Sequence, residues 1–121
     1  MSYQLEVFAK EGYICAEAKC DINRIIAAEM AEEVSEVLQR ENLEAALIDV
    51  RNSCNTDRPA QNYQFAFDDA PNLNLRPTDR IAILSAPDDH SHDFTEIVMR
   101  NSGYNVRLFQ DEDDALAWLA T

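Results

Sequence analysis

Glycine is scarce, with two residues in a chain of 121, and both have local work to do. Gly12 sits in a tight turn and Gly103 where a left-handed helix cap belongs. Neither GxGxxG nor GxxxxGK[ST] can be drawn, which excludes nucleotide binding through those loops. Cysteine is limited to Cys15, Cys20 and Cys54, an odd number without CxxC spacing, so neither a disulfide framework nor a structural zinc site is expected. Basic residues are few, ten against 23 acidic ones for a net charge of −13. That balance opposes nucleic acid and anionic membrane, both of which reward Lys and Arg. No stretch approaches the ~18 consecutive apolar residues of a membrane span. The opening MSYQLEVFAKEGY resembles neither a signal nor a transit peptide, so a cytoplasmic protein without membrane insertion is expected.

Hydrophobic residues make up 46% of the chain, enough for a core without staples in one domain spanning residues 1–121. Tyr3 to Phe8 and Tyr13 to Ala18 alternate apolar and polar side chains, predicting two half-exposed strands joined by a turn over Lys10, Glu11 and Gly12. From Asp21 the period lengthens. Ile22, Ile26, Met30, Val34 and Leu38 recur every four residues, with Ile25 and Val37 widening the stripe, and Glu29, Glu32, Glu33 and Glu36 face away. This predicts an amphipathic helix capped by Asp21 and ending near Asn42.

Residues 45–50 and 80–85 are near-continuous apolar runs, the mark of parallel strands covered on both faces, and residues 105–109 form a shorter third run. A helix is expected between the last two, with Phe94, Ile97 and Val98 on its apolar face. Another, carrying Tyr63 and Phe67, is expected between the first two, because a parallel crossover needs one; residues 72–78 are then a loop. Asp111, Glu112, Asp113 and Asp114 open a final helix, where its dipole favours carboxylates. The fold expected is α/β: a mixed, mostly parallel sheet of four to five strands, with an N-terminal hairpin and helices on both faces.

In such sheets, the loops at the carboxyl ends of the strands are the place to look for chemistry. Residues 1–50 carry four basic and eleven acidic side chains, residues 51–80 four of each, and residues 81–121 two basic against eight acidic. The middle stretch is thus a neutral island. Its Arg51, Asn52, Ser53 and Arg58 form a candidate ligand-binding loop, with the arginines suited to a phosphate or carboxylate. The competing reading pairs them with the protein's own carboxylates, with Thr56 or Asp57 capping the next helix. The second loop, residues 86–93, holds both histidines. Capping by Asp88 or Ser91 explains much of its composition; a metal held by His90 and His92, or a nucleophilic site using Ser53 or Cys54 with a histidine base, stays open. Tyr63, Phe65 and Phe67 could line an apolar pocket or simply pack. No cofactor is expected.

The run A-x-L-I-D-V-R at residues 45–51, R-I-A-I-L at 80–84, F-x-E-x-V-x-R-N-x-G-Y-N-V-R-L-F at 94–109 and D-E-D-D-A-L-A-W-L at 111–119 resembles the SpoIIAA-like proteins, small bacterial domains grouped with the STAS/SEC14 superfamily. The resemblance implies a domain that works by binding a protein partner or small ligand rather than by catalysis. Anti-sigma-factor antagonists of similar fold are switched by phosphorylation of a serine in a D-S-S-G motif. Here the matching stretch reads Asp49-Val50-Arg51-Asn52-Ser53-Cys54, which leaves Ser53 as the positional phosphosite. The SEC14 side implies a lipid-like ligand. A homodimer through the acidic helix or an edge strand, and a hydrolase built on His90 and His92, are the rival expectations.

Overall fold

A computed structural model describes residues 2–73 and 75–121. Five strands, β1 (Tyr3–Phe8), β2 (Tyr13–Ala18), β3 (Ala45–Asp49), β4 (Arg80–Leu84) and β5 (Asn105–Phe109), form one sheet in the order β1-β2-β3-β4-β5. The β1–β2 hairpin is antiparallel and every other pairing is parallel. Four helices complete the fold: α1 (Arg24–Arg40), α2 (Pro59–Gln64), α3 (Asp93–Asn101) and α4 (Glu112–Leu119). Because the strands add in chain order and parallel crossovers share one hand, successive crossover helices land on the same face. Accordingly α1, α2 and α3 cover one face, where Ala46, Ile48, Ile81, Ile83 and Val106 meet Met30, Val34, Leu38 and Met99. Only α4 covers the other, where Ala115 and Leu119 pack on Ala45, Leu47, Ala82 and Leu84.

The strands, the crossover helices and the sheet class agree with the sequence pattern, while several local details do not, among them Ile97 of α3, which is exposed. The first helix begins at Arg24 with Asn23 as its cap, Oδ1 accepting from the Ile26 N–H at 2.9 Å, and Asp21 instead accepts the Cys54 N–H at 3.0 Å. Ile22 precedes the helix, bridged to Asn55. Ile25 is 70% exposed, because the 3.6-residue repeat widens the buried stripe toward Ala27 and Ala31 and leaves position 25 on the Glu29, Glu32 and Glu36 side. Asn23→Ala is therefore expected to cost about 1 kcal/mol in a denaturant melt, and Asp21→Ala to leave the α1 cap intact. If the two substitutions exchanged these effects, the cap assignment would be wrong.

Gly103 takes φ +99 and closes α3 as expected, with the Tyr104 N–H returning to the Met99 carbonyl at 3.1 Å. That helix starts at Asp93, not in the residues before it, and His92 stands at its cap position without a side-chain capping bond. The crossover after β3 is helical, but α2 widens and then tightens: residues Phe65–Asp69 form a π turn, the Ala70 N–H reaching the Phe65 carbonyl, and Ala70–Asn72 a 3-10 turn. The loop expected at residues 72–78 follows, with Asn74 outside the described residues.

Candidate ligand-binding site

The loop after β3 is folded back on both sides of the sheet, and this separates the residues grouped by sequence. Arg51 turns onto the α4 face. Its Nε and Nη2 grip Asp49 at 3.0 and 2.8 Å in a bidentate pair, its N–H reaches the same carboxylate at 3.1 Å, and Nη2 lies 3.1 Å from Glu112. Burial works against the Asp49 charge, but the hydrogen bonds and charge of Arg51 outweigh it and hold this carboxyl below its ordinary range. Arg51 thus pairs with the protein's own carboxylates.

Arg58 belongs to the other side, at the start of α2, where its N–H donates to Gln61 Oε1 at 2.8 Å. Its exposed guanidinium has no ion pair or hydrogen bond among the described residues. Asn52 lies exposed in the turn between the two. Ser53 is 3% exposed and its hydroxyl is enclosed without a partner.

The two loops do meet. His92, buried, brings Nε2 to 2.9 Å from the Ser53 carbonyl and 3.6 Å from Asp89, and the Asn55 N–H donates to Ser91 Oγ at 2.9 Å. Since a carbonyl only accepts, His92 Nε2 carries the proton. His90 is exposed and lies 3.1 Å from Asp93, so the two imidazoles face different surroundings. Neither serves as base to a nucleophile. The contact to Ser53 is through its backbone, and the Cys54 thiol is raised first by the charge of Asp89 and then by burial, the opposite of what an attacking thiolate needs. Among the described residues no group of three or more His, Cys, Asp and Glu side chains gathers to hold a metal ion.

What these contacts border is a cavity of about 110 Å³ between the helices and the sheet. Ile48, Val50, Ile81, Ile83 and Val106 form its floor, and Ala27, Met30, Ala31 and Val34 of α1 one wall. Phe65, at the start of the π turn, and Met99 of α3 close it. Helical spacing puts Tyr63 and Phe67 on one side, where they stack at 5.7 Å with Tyr63 edge-on to Phe94, and turns Phe65 to the buried side. Of the three aromatics suggested by sequence, only Phe65 lines the cavity.

One end of the cavity is polar. Asn55, Asp57, Asn62, His92 and Thr95 converge there. Asn55 Nδ2 donates to Asn62 Oδ1 and Thr95 Oγ1, each at 3.1 Å, and Thr95 Oγ1 lies 3.3 Å from Asn62 Oδ1. Asn55 Oδ1 accepts the Asp57 N–H at 3.0 Å. The sequence reading passed over Asn55, Asn62 and Thr95. Each lies in a mostly polar stretch, so nothing in the sequence sets it apart.

The Asp57 carboxylate has no hydrogen bond or ion pair among the described residues. Burial raises its pKa, against a weaker opposing pull from Arg24, whose guanidinium is already committed to Asp69 at 2.7 and 2.9 Å and to Gln64 at 3.0 Å. A folded-state pKa above the unfolded one gives stability that is present below the unfolded value and lost as pH rises through the folded value. At neutral pH the charged Asp57 therefore works against folding. Asp57→Asn is expected to raise the melting temperature of ligand-free protein at pH 7, with the gain vanishing near pH 3. A lower melting temperature at pH 7 would show that the carboxylate has a stabilising partner.

No protein-family model matches the chain, and no curated protein does. A solved structure of similar shape is that of an uncharacterised protein from the DUF3478 family with a SpoIIAA-like fold, from Shewanella loihica PV-4, 16% identical over 97% of this chain and 91% of that one, with a TM-score of 0.54. At that identity the likeness concerns architecture alone, and the architecture of this chain is SpoIIAA-like.

Proposed function

We propose that this chain is a non-catalytic, cytoplasmic binding domain that holds a small, mainly apolar molecule between its helical layer and its sheet. The observation that carries the reading is the cavity under α1, α2 and α3, apolar along its length and polar at one end, the usual layout of a small-molecule site. A void of about 110 Å³ forgoes roughly 2–3 kcal/mol of packing at about 24 cal/mol per Å³. That is a substantial share of a typical folding free energy of ~5–15 kcal/mol, and an occupant would recover it. The volume also restricts the occupant. An engineered apolar cavity of ~150 Å³ takes up benzene, so this one suits a short aliphatic chain or small ring, with any remainder leaving through the mouth. A lipid-like ligand would enter by a short segment only.

The anion reading of the β3 loop has less support, since the Arg51 fork is engaged with Asp49 and Glu112 and Arg58 lies on the opposite face. The free thiols of Cys15, Cys20 and Cys54 accord with a reducing compartment, and no helix among the described residues is long and apolar enough to cross a membrane.

Titration with n-butanol, followed by amide chemical shifts, tests the reading. Saturable shifts are expected at Ile48, Ile83, Phe65 and Met99. Shifts confined to exposed residues, or none, would overturn it.

A further inference from the structure

We propose that the polar end of the cavity is built for the head of a small apolar amine, with the ammonium group set against Asp57 and the hydrocarbon chain lying over Ile48 and Ile83. The inference rests on the reading of the cavity as a ligand site and names its ligand class. Three observations carry it. Asp57 borders the cavity and its carboxylate is left without a partner by every described residue. The cationic side chain that acts on it, Arg24, spends its hydrogen bonds on Asp69 and Gln64. The neighbouring polar groups are already turned toward one another, Asn62 Oδ1 receiving both Asn55 Nδ2 and Thr95 Oγ1.

What remains without a protein partner is therefore an acceptor with negative charge. A half-buried carboxylate at the border of an apolar chamber is relieved most by a cation, because a charge-assisted hydrogen bond in such surroundings is stronger than a neutral one. An ammonium donates up to three hydrogen bonds and accepts none, which fits a carboxylate beside an amide whose oxygen is already occupied. A carboxylate-headed ligand would meet repulsion from Asp57 and, at longer range, from a chain of net charge −13. The Asn62 amide nitrogen, free of any described acceptor, can receive a second, hydroxyl or carbonyl function beside the amine.

Butylamine, n-butanol and butyrate share one chain length and differ only in the head, so they separate head from cavity. Amide shift titrations at pH 7 are expected to rank butylamine at least tenfold tighter than butanol, with butyrate weakest. Asp57→Asn should abolish the amine preference, leaving butylamine and butanol within about twofold of each other. Asp57→Asn also removes a half-buried charge that has no protein partner, so the variant should stay folded and the comparison stays readable. Butyrate binding as well as butylamine, or an amine preference that survives Asp57→Asn, would overturn the head-group assignment while leaving the cavity reading intact. Failure of all three probes to shift the cavity residues would overturn both.

Discussion

Leu84→Ala is expected to cost about 3–5 kcal/mol, a large part of the stability of a domain this size. Leu84 is fully buried at the end of a central strand, paired on one side with Asp49 and on the other with Phe109. Its side chain lies on the face covered by α4 alone, in one cluster with Leu47, Ala82, Ala115 and Leu119. The Ala82 and Ala115 methyl groups cannot extend into the vacated space, and the strand on either side is fixed by its ladder. The cavity left behind should therefore persist, which places the cost in the upper part of the range for such truncations. Urea unfolding with an unchanged m-value and a lowered midpoint would measure it. A loss below about 1 kcal/mol would mean that α4 is not held by this contact layer.

Ala31→Leu should behave in the opposite sense. Ala31 lies on α1, partly buried, and borders the natural cavity. Leucine is nearly as good a helix former as alanine, so the helix itself is little affected. Its isobutyl group would enter space that is already apolar and empty of protein. Burying three further carbons can contribute up to about 2 kcal/mol at ~0.8 kcal/mol each, offset by any crowding against Val34 and Phe65. The expected result is a protein at least as stable as the parent in which butanol no longer shifts the cavity amides. Raised stability with probe binding retained would show that the occupied space lies elsewhere. Stability gained at the expense of a binding site is a recurring pattern where a site is kept open by selection.

The two variants also show which parts of the molecule were legible in the sequence. The apolar run of residues 80–84, the four-residue stripe of α1 and Gly103 each state a local requirement, a strand covered on both faces, one buried helix face, a left-handed cap. Every one of them is realised. The start of α1 was harder, because Asp21 and Asn23 are both competent caps and only the bridge between Ile22 and Asn55 decides between them. The cavity escapes the sequence pattern for a topological reason. Searching the carboxyl-end loops presumes a reversal in strand order, where two neighbouring loops diverge and open a crevice. Here the parallel strands run in chain order, no reversal occurs, and the β3 and β4 loops close on each other through His92 and Ser53, and Ser91 and Asn55. The open space lies instead beneath the helices that this same order places on one face. Arg51 illustrates a second limit. Its sequence neighbours Asp49 and Asn52 gave no indication that Glu112, sixty-one positions later, would complete its shell.

Native mass spectrometry of the parent and Ala31→Leu proteins, each purified from cells without added ligand and then measured again after denaturation, tests most directly whether the cavity is a binding site. A small adduct that accompanies the folded parent, leaves on denaturation and is missing from Ala31→Leu is the predicted result. An adduct carried equally by both proteins, or a bare chain mass for the folded parent, would contradict it.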